Sequence, residues 1–196
     1  MTAYEYRTVA LPDFDRSAVL RYAKTREDPG ELLDECLAQM KDLNGAVVFS
    51  QADVRIRGSV LDLGFCKTVS VDLAKALEGC DSILFFAATV GLMPDRLLAK
   101  YGRLSPSRAL FLQAAATERI EAVCDAFCAE RNDYYAERGF GLRPRFSPGY
   151  GDLSLSLQKD ILTALDCRKT LGLTLTDSLL MIPSKSVTAI VGIYRK

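Results

Sequence analysis

The sequence predicts one α+β domain over residues 1–196, and three observations carry that prediction. Helical and strand-like segments are interleaved, but without the strict βαβ alternation that builds a parallel sheet. The longest apolar run, Ser82 to Gly91 (SILFFAATVG), suits a buried strand and falls well short of a membrane span. No internal repeat, low-complexity tract or linker divides the chain.

Taken in order, residues 1–45 form a helical N-terminal portion, with helices over 13–24 and 29–43. In the second, Leu32, Leu33, Cys36, Leu37 and Met40 recur at helical spacing, Pro29 stands near the start and Asn44-Gly45 is the stop signal. Ala46–Phe49 begins a strand, Val54–Arg57 alternates as a half-exposed one, and Val60–Phe65 is a third candidate. Ser70–Leu77 reads as a short helix with a serine cap, ending near Gly79. After the strand at 82–90 come a helix over 94–101 and a long one from Ser105 to Arg131, where Ser105-Pro106 fits a cap followed by proline at the first helical position. Residues 132–152 look irregular, 154–165 helical, and 179–182 and 187–194 read as closing strands.

Composition excludes several classes. The 25 basic residues balance the 25 acidic ones, so the basic excess of a nucleic-acid-binding protein is missing. With 49% apolar residues the chain is not of the disordered type. The start, Met1 to Glu5, is charged and mixed with no apolar signal core, so a cytoplasmic location is expected, with no membrane partner. There is no histidine, which removes Ser-His-Asp and Cys-His catalysis and every His-ligated metal. Of the six cysteines only Cys124 and Cys128 lie close, at i, i+4, which is not a zinc knuckle; they are expected as small buried hydrophobes, with no metal site. GxxxxGK[ST], GxGxxG and GxSxG are all absent.

Two places could carry chemistry. Ile120, Val123 and Phe127 share a face of the long helix at about 100° per residue, and Glu130 falls near that face. A carboxylate there needs a partner: Arg131, Arg138 or a cationic ligand group. Downstream, Arg145 precedes the turn Pro148-Gly149-Tyr150-Gly151. Proline fixes φ and glycine allows conformations closed to other residues, so the turn could expose backbone groups beside an arginine fork and a tyrosine ring. An arginine packed on a tyrosine in a surface turn fits the same residues.

Arg145-Phe146-Ser147-Pro148-Gly149-Tyr150 resembles the RxxxGY adenosylmethionine motif of the activation domain of cobalamin-dependent methionine synthase, especially its short stand-alone relatives. Over residues 80–193 further pieces follow in order. Phe85 to Leu92 (FFAATVGL) is similar to the family's F-A-V-T-x-G-L strand. The helix from Ala116 to Arg131 resembles the one before the motif. Gly172 to Ser178 and Pro183 to Thr188 (PSKSVT) resemble G-x-x-L-T-E-S and P-x-x-S-V. The resemblance implies a twisted, mainly antiparallel sheet flanked by helices.

It also implies S-adenosylmethionine as ligand, with Arg145 at its amino-acid end, backbone contacts from Ser147 and Gly149, Tyr150 as a wall and Glu130 at the helix end. The chain would supply no catalytic acid or base. The implied function is an activation subunit, an accessory methyltransferase component supporting reductive methylation of cobalamin, with a cobalamin-binding methionine synthase or other corrinoid protein as partner and a flavodoxin-type electron donor. Cobalamin would arrive only on the partner, since a DxHxxG motif requires histidine. The family's Cys- and His-containing stretch is replaced by Gly151 to Ser156. Its N-terminal ligand-site aspartate has no clear match, nor has its further aromatic-bearing strand before Lys196. The alternatives are a non-catalytic interaction protein retaining the fold and docking surface, and a binding module for another adenosyl compound.

Overall fold

A computed structural model describes residues 3–196. Its centre is a five-stranded sheet in the order β1-β2-β6-β10-β7, with every neighbouring pair antiparallel. The strands are β1 (Glu5–Val9), β2 (Gly45–Asp53), β6 (Ser82–Thr89), β10 (Ser186–Arg195) and β7 (Phe140–Leu142). β6 is buried along nearly its whole length because helices or loops cover both faces. This is why it reads as a continuous apolar run rather than an alternating one.

The side chains of the sheet divide into two cores. Val47, Phe49, Leu84, Phe86 and Val191 point to one face, where α5 (Pro106–Ala136) packs on them. Phe127 of α5 sits between Phe49 and Phe86, with ring centroids 5.1 and 5.0 Å away in the tilted geometry aromatic pairs prefer. Val48, Phe85, Ala87 and Ile190 point to the other face. They meet α3 (Val71–Ala76), α6 (Leu157–Ala164), α7 (Cys167–Thr170) and the small sheet of β3 (Arg55–Arg57), β4 (Val60–Asp62) and β5 (Lys67–Val69). A third core lies off the sheet, where α1 (Arg16–Tyr22), α2 (Glu31–Ala38) and α4 (Met93–Leu104) close around the N-terminal half of α5.

At 31 residues, α5 is roughly 46 Å long, more than the sheet can cover. Its buried side therefore changes along its length, from Phe111, Leu112 and Ala115 in the helical core to Val123 and Phe127 on the sheet. Between the two regions, the adjacent Glu118 and Arg119 are buried as an ion pair at 2.5 Å. Arg119 also donates to the Pro12 carbonyl at 2.7 Å and lies 3.8 Å from the Phe14 ring, while Glu118 accepts from the Asp15 N–H at 3.3 Å. This network fastens the lead-in of α1 to the long helix.

The expected α+β class and antiparallel sheet are present, with five local corrections. The long helix continues to Ala136, and β7 lies within the stretch expected to be irregular. The second helix ends at Ala38, and Gly45 opens β2 rather than closing a helix. β1 was read as a charged segment because only Val9 of its five residues is buried; as an edge strand it keeps its charges in water. The expected strand over 179–182 is reduced to β9 (Met181–Ile182), because Leu179 has φ +64° and turns the chain back onto β8 (Thr174–Leu175). β5 and α7, which are short and weakly patterned, were not anticipated.

Among the described residues no helix is long and apolar enough to cross a membrane. Cys36, Cys80, Cys124 and Cys167 are buried and Cys66 and Cys128 are partly buried, all as free thiols. Burial pushes Cys66, Cys124 and Cys167 up to about 12 and Cys128 to about 11, so these thiols stay protonated at neutral pH.

Candidate functional site

The RxxxGY segment is held against a central strand, not in a free surface turn. Leu142 stands opposite Ile193 on β10 and Phe146 opposite Ile190, bonded through both its N–H and its C=O at 2.8 Å. That is four steps along one segment against three along the other, so an extra residue is absorbed between them. Pro144, which has no N–H to offer a ladder, lies in this bulge. The distortion directs Arg145 towards α5, where its Nη2 donates to Glu121 Oε2 at 2.7 Å and to Asp125 Oδ1 at 2.8 Å. Burial works against the Arg145 charge, but the negative groups around it prevail and raise its pKa. Among the described residues, its Nε and Nη1 donors have no hydrogen-bond partner.

After Phe146 the chain makes a double turn. The Tyr150 N–H donates to the Ser147 carbonyl at 3.1 Å, the Gly149 N–H to the Leu153 carbonyl at 2.9 Å, and the Leu153 N–H to the Tyr150 carbonyl at 3.0 Å. Gly149 (φ +91°) and Gly151 (φ +52°) occupy the left-handed region. At Gly151 a Cβ would also lie 2.2 Å from the Asp72 carboxylate, so a larger residue would have to displace that side chain.

Asp152 then locks the turn to α3. Its carboxylate accepts from the Val71 N–H at 2.7 Å, the Asp72 N–H at 3.2 Å and the Ser70 hydroxyl, which itself caps Leu73 at 2.9 Å. The Ser70 and Val71 hydrogen bonds hold the Asp152 pKa below the ordinary 3.8. A depressed carboxylate contributes stability above its unfolded pKa and loses it as pH falls through the folded one. The Val71 amide proton resonance is therefore expected to titrate with an inflection below pH 3.8, and Asp152→Asn is expected to abolish that inflection.

These elements enclose a cavity of about 400 Å³ between α5, the turn, α6 and β10. Arg145 and Glu121 form its charged side. Phe146 and Tyr150, whose rings meet edge to face at 6.4 Å, form an aromatic side with Met181 and Val187. Gln158 of α6 and Thr188 of β10 complete the wall; they are 6% and 2% exposed, and among the described residues Gln158 Oε1 and Thr188 Oγ1 have no hydrogen-bond partner. Native proteins rarely leave such atoms unpaired, and an enclosed polar wall of this kind suits a ligand with its own donors and acceptors.

Of the residues singled out in the sequence, the structure brings Arg145, Ser147 and Tyr150 to this cavity. Gly149 is not on its wall, and its N–H is consumed within the turn, so it shapes the cradle rather than lining it. Glu130 is not brought to the cavity at all: its half-exposed side chain pairs with Arg131 at 2.5 Å. The apolar face of Val123 and Phe127 continues by four residues to Arg131, not by three to Glu130. The carboxylate at the cavity is Glu121, two and a half turns earlier. Glu121, Gln158 and Thr188 escaped the sequence reading; Gln158 lies in the helix expected over 154–165 and Thr188 ends PSKSVT, but nothing local marks them as inward-facing.

This arrangement has the fold of a methionine synthase reactivation domain, as the resemblance implied. The chain matches the crystal structure of the MetH reactivation domain bound to AdoHcy with a TM-score of 0.69 at 15% sequence identity. The match covers 97% of this chain and 78% of that chain. No protein-family model matches the sequence, and no curated protein matches it.

Proposed function

We propose that the chain is an S-adenosylmethionine-binding activation subunit that supports reductive methylation of cobalamin on a partner methionine synthase or other corrinoid methyltransferase. The observation that carries this reading is the pair of unpartnered buried atoms, Gln158 Oε1 and Thr188 Oγ1, in a cavity that also offers Arg145 and Glu121. Left dry, such atoms cost roughly 1–3 kcal/mol each, which a hydrogen-bonding ligand removes. The reactivation domain of the same fold is bound to AdoHcy, the demethylated form of this ligand, which supports the choice of ligand class.

The chemistry of each residue fits one part of the ligand. The free Nη1 of Arg145 offers a charge-assisted donor to a carboxylate, and Glu121 offers an acceptor to an ammonium. Phe146 and Tyr150 provide π faces for a purine or a sulfonium, while Gln158 and Thr188 pair with amino or hydroxyl groups. The bound molecule supplies an electrophilic methyl group. The chain holds it, keeps water from it and presents it, a task of positioning that needs no histidine and no acid or base. The corrinoid belongs to the partner, and the electron comes from a flavodoxin-type donor.

The test combines the chain, a cobalamin-loaded methionine synthase without its own activation domain, a reduced flavodoxin and methyl-labelled S-adenosylmethionine. Label is expected on the partner's corrinoid only when this chain is present. Binding of the partner without transfer of label supports the interaction-protein reading instead.

A further inference from the structure

The Arg145 cavity is not the only place where a buried polar group lacks a partner. Arg131 is 8% exposed, and its Nε–H has no hydrogen-bond partner among the described residues. It lies ten residues beyond Glu121 on α5, roughly 15 Å along the helix. The two cavities share no lining residue.

The Arg131 guanidinium is held between two aromatic rings, its Cζ 5.2 Å from the Phe49 centroid and 4.8 Å from that of Tyr134. One nitrogen, Nη2, donates to Glu130 at the surface. Beside the guanidinium lies a separate cavity of about 260 Å³ between α5, β2 and the start of β1. Its wall includes Glu5, Gln51, Leu84, Tyr134 and Tyr135. Tyr135 donates to Gln51 Oε1 at 2.9 Å, which fixes the carboxamide and leaves its Nε2 hydrogens without a partner among the described residues. The wall thus offers the buried Nε–H of Arg131 over an apolar floor of Phe49 and Leu84, with Gln51 and Glu5, which is paired with Arg7 at 2.7 Å, at the exposed rim.

We propose that this cavity is a second binding site, for a small carboxylate with an apolar body, of the chemical class of the aliphatic α-amino acids. A buried N–H without an acceptor asks for one, and a guanidinium pairs best with a carboxylate or a phosphate. Charge decides between them. Arg131 already meets Glu130, and Glu5, which lines the same cavity, is paired with Arg7 at 2.7 Å, so these charges balance and a dianion would be repelled, whereas a zwitterion adds no net charge. Glu5 can in turn accept from an ammonium, and Phe49 and Leu84 suit a short aliphatic chain.

The site is tested on the whole protein carrying ¹⁵N-arginine, by following the Arg131 side-chain Nε–H resonance while L-leucine, acetate or inorganic phosphate is added. Leucine is expected to shift it saturably, acetate more weakly, and phosphate least. Arg131→Gln removes the reporter, so its effect is read as loss of the leucine-dependent rise in melting temperature. Tyr134→Ala, at an exposed helical position, opens the aromatic wall without touching the core and is expected to weaken leucine binding about tenfold or more, equivalent to ~1.4 kcal/mol. An Arg131 resonance unmoved by all three probes, phosphate binding as tightly as leucine, or unchanged leucine affinity in Tyr134→Ala would each overturn the assignment. Because the cavities share no residue, failure here leaves the Arg145 site untouched.

Discussion

Arg145→Ala is expected to weaken S-adenosylmethionine binding by at least about 30-fold while leaving the fold almost as stable as before. The two effects separate because the arginine has two kinds of partner. Towards α5 it meets Glu121 and Asp125, whose side chains are 37% and 73% exposed. Ion pairs that open to water contribute about 0–1 kcal/mol, so their loss barely moves the unfolding transition. Arg145 also lines the cavity, where a charge-assisted hydrogen bond to a carboxylate is worth roughly 2–3 kcal/mol. Arg145→Lys keeps the charge but not the fork, and is expected to recover only part of the affinity. Calorimetry with thermal unfolding in parallel checks both halves. An unchanged affinity would make Arg145 a structural residue that merely ties the motif to α5.

Arg119→Ala is expected to have the opposite signature, a large loss of stability with no direct effect on the ligand. Its side chain is 3% exposed and that of Glu118 7%. Truncation strands the Glu118 carboxylate away from water and frees the Pro12 carbonyl. Removing one partner of a buried ion pair costs about 3–5 kcal/mol, which for a domain of this size lowers the melting temperature by roughly 6–20 °C. Replacing both residues together, as Glu118→Leu with Arg119→Met, removes the stranded charge and is expected to cost much less. Equal melting temperatures for the single and double variants would show that the network contributes through Phe14 packing rather than through charge.

These two arginines also mark what the sequence could and could not convey. The class of fold was legible because β6 is covered on both faces, giving an unbroken apolar run, and because α5 carries a proline at its first turn. The RxxxGY segment was legible because its glycines and prolines are required by backbone geometry, which leaves a mark in residue type. The acidic partner was not. Burial on α5 follows one face only while the helix lies on the sheet. Where it passes from the helical core to the sheet, charged residues such as Glu118 and Arg119 enter the interior. Extending the face of Val123 and Phe127 by three residues led to Glu130, whereas the packing continues by four to Arg131. Glu121 meets Arg145 only because a one-residue bulge opposite β10 aims the arginine at that turn of the helix. Gln158 and Thr188 come together from α6 and β10, thirty residues apart in the chain, so no local pattern could announce them. β1 was missed for a simpler reason: an edge strand needs few apolar residues.

The central claim is that the cavity between Arg145, Glu121, Gln158 and Thr188 holds an adenosyl amino acid. Isothermal titration of the chain with AdoHcy, which has the same carboxylate, ammonium and adenosyl groups but no methyl to lose, tests it most directly. Saturable binding at one site is expected, weakened by Arg145→Ala and by Thr188→Val. Absence of binding at millimolar ligand would contradict it.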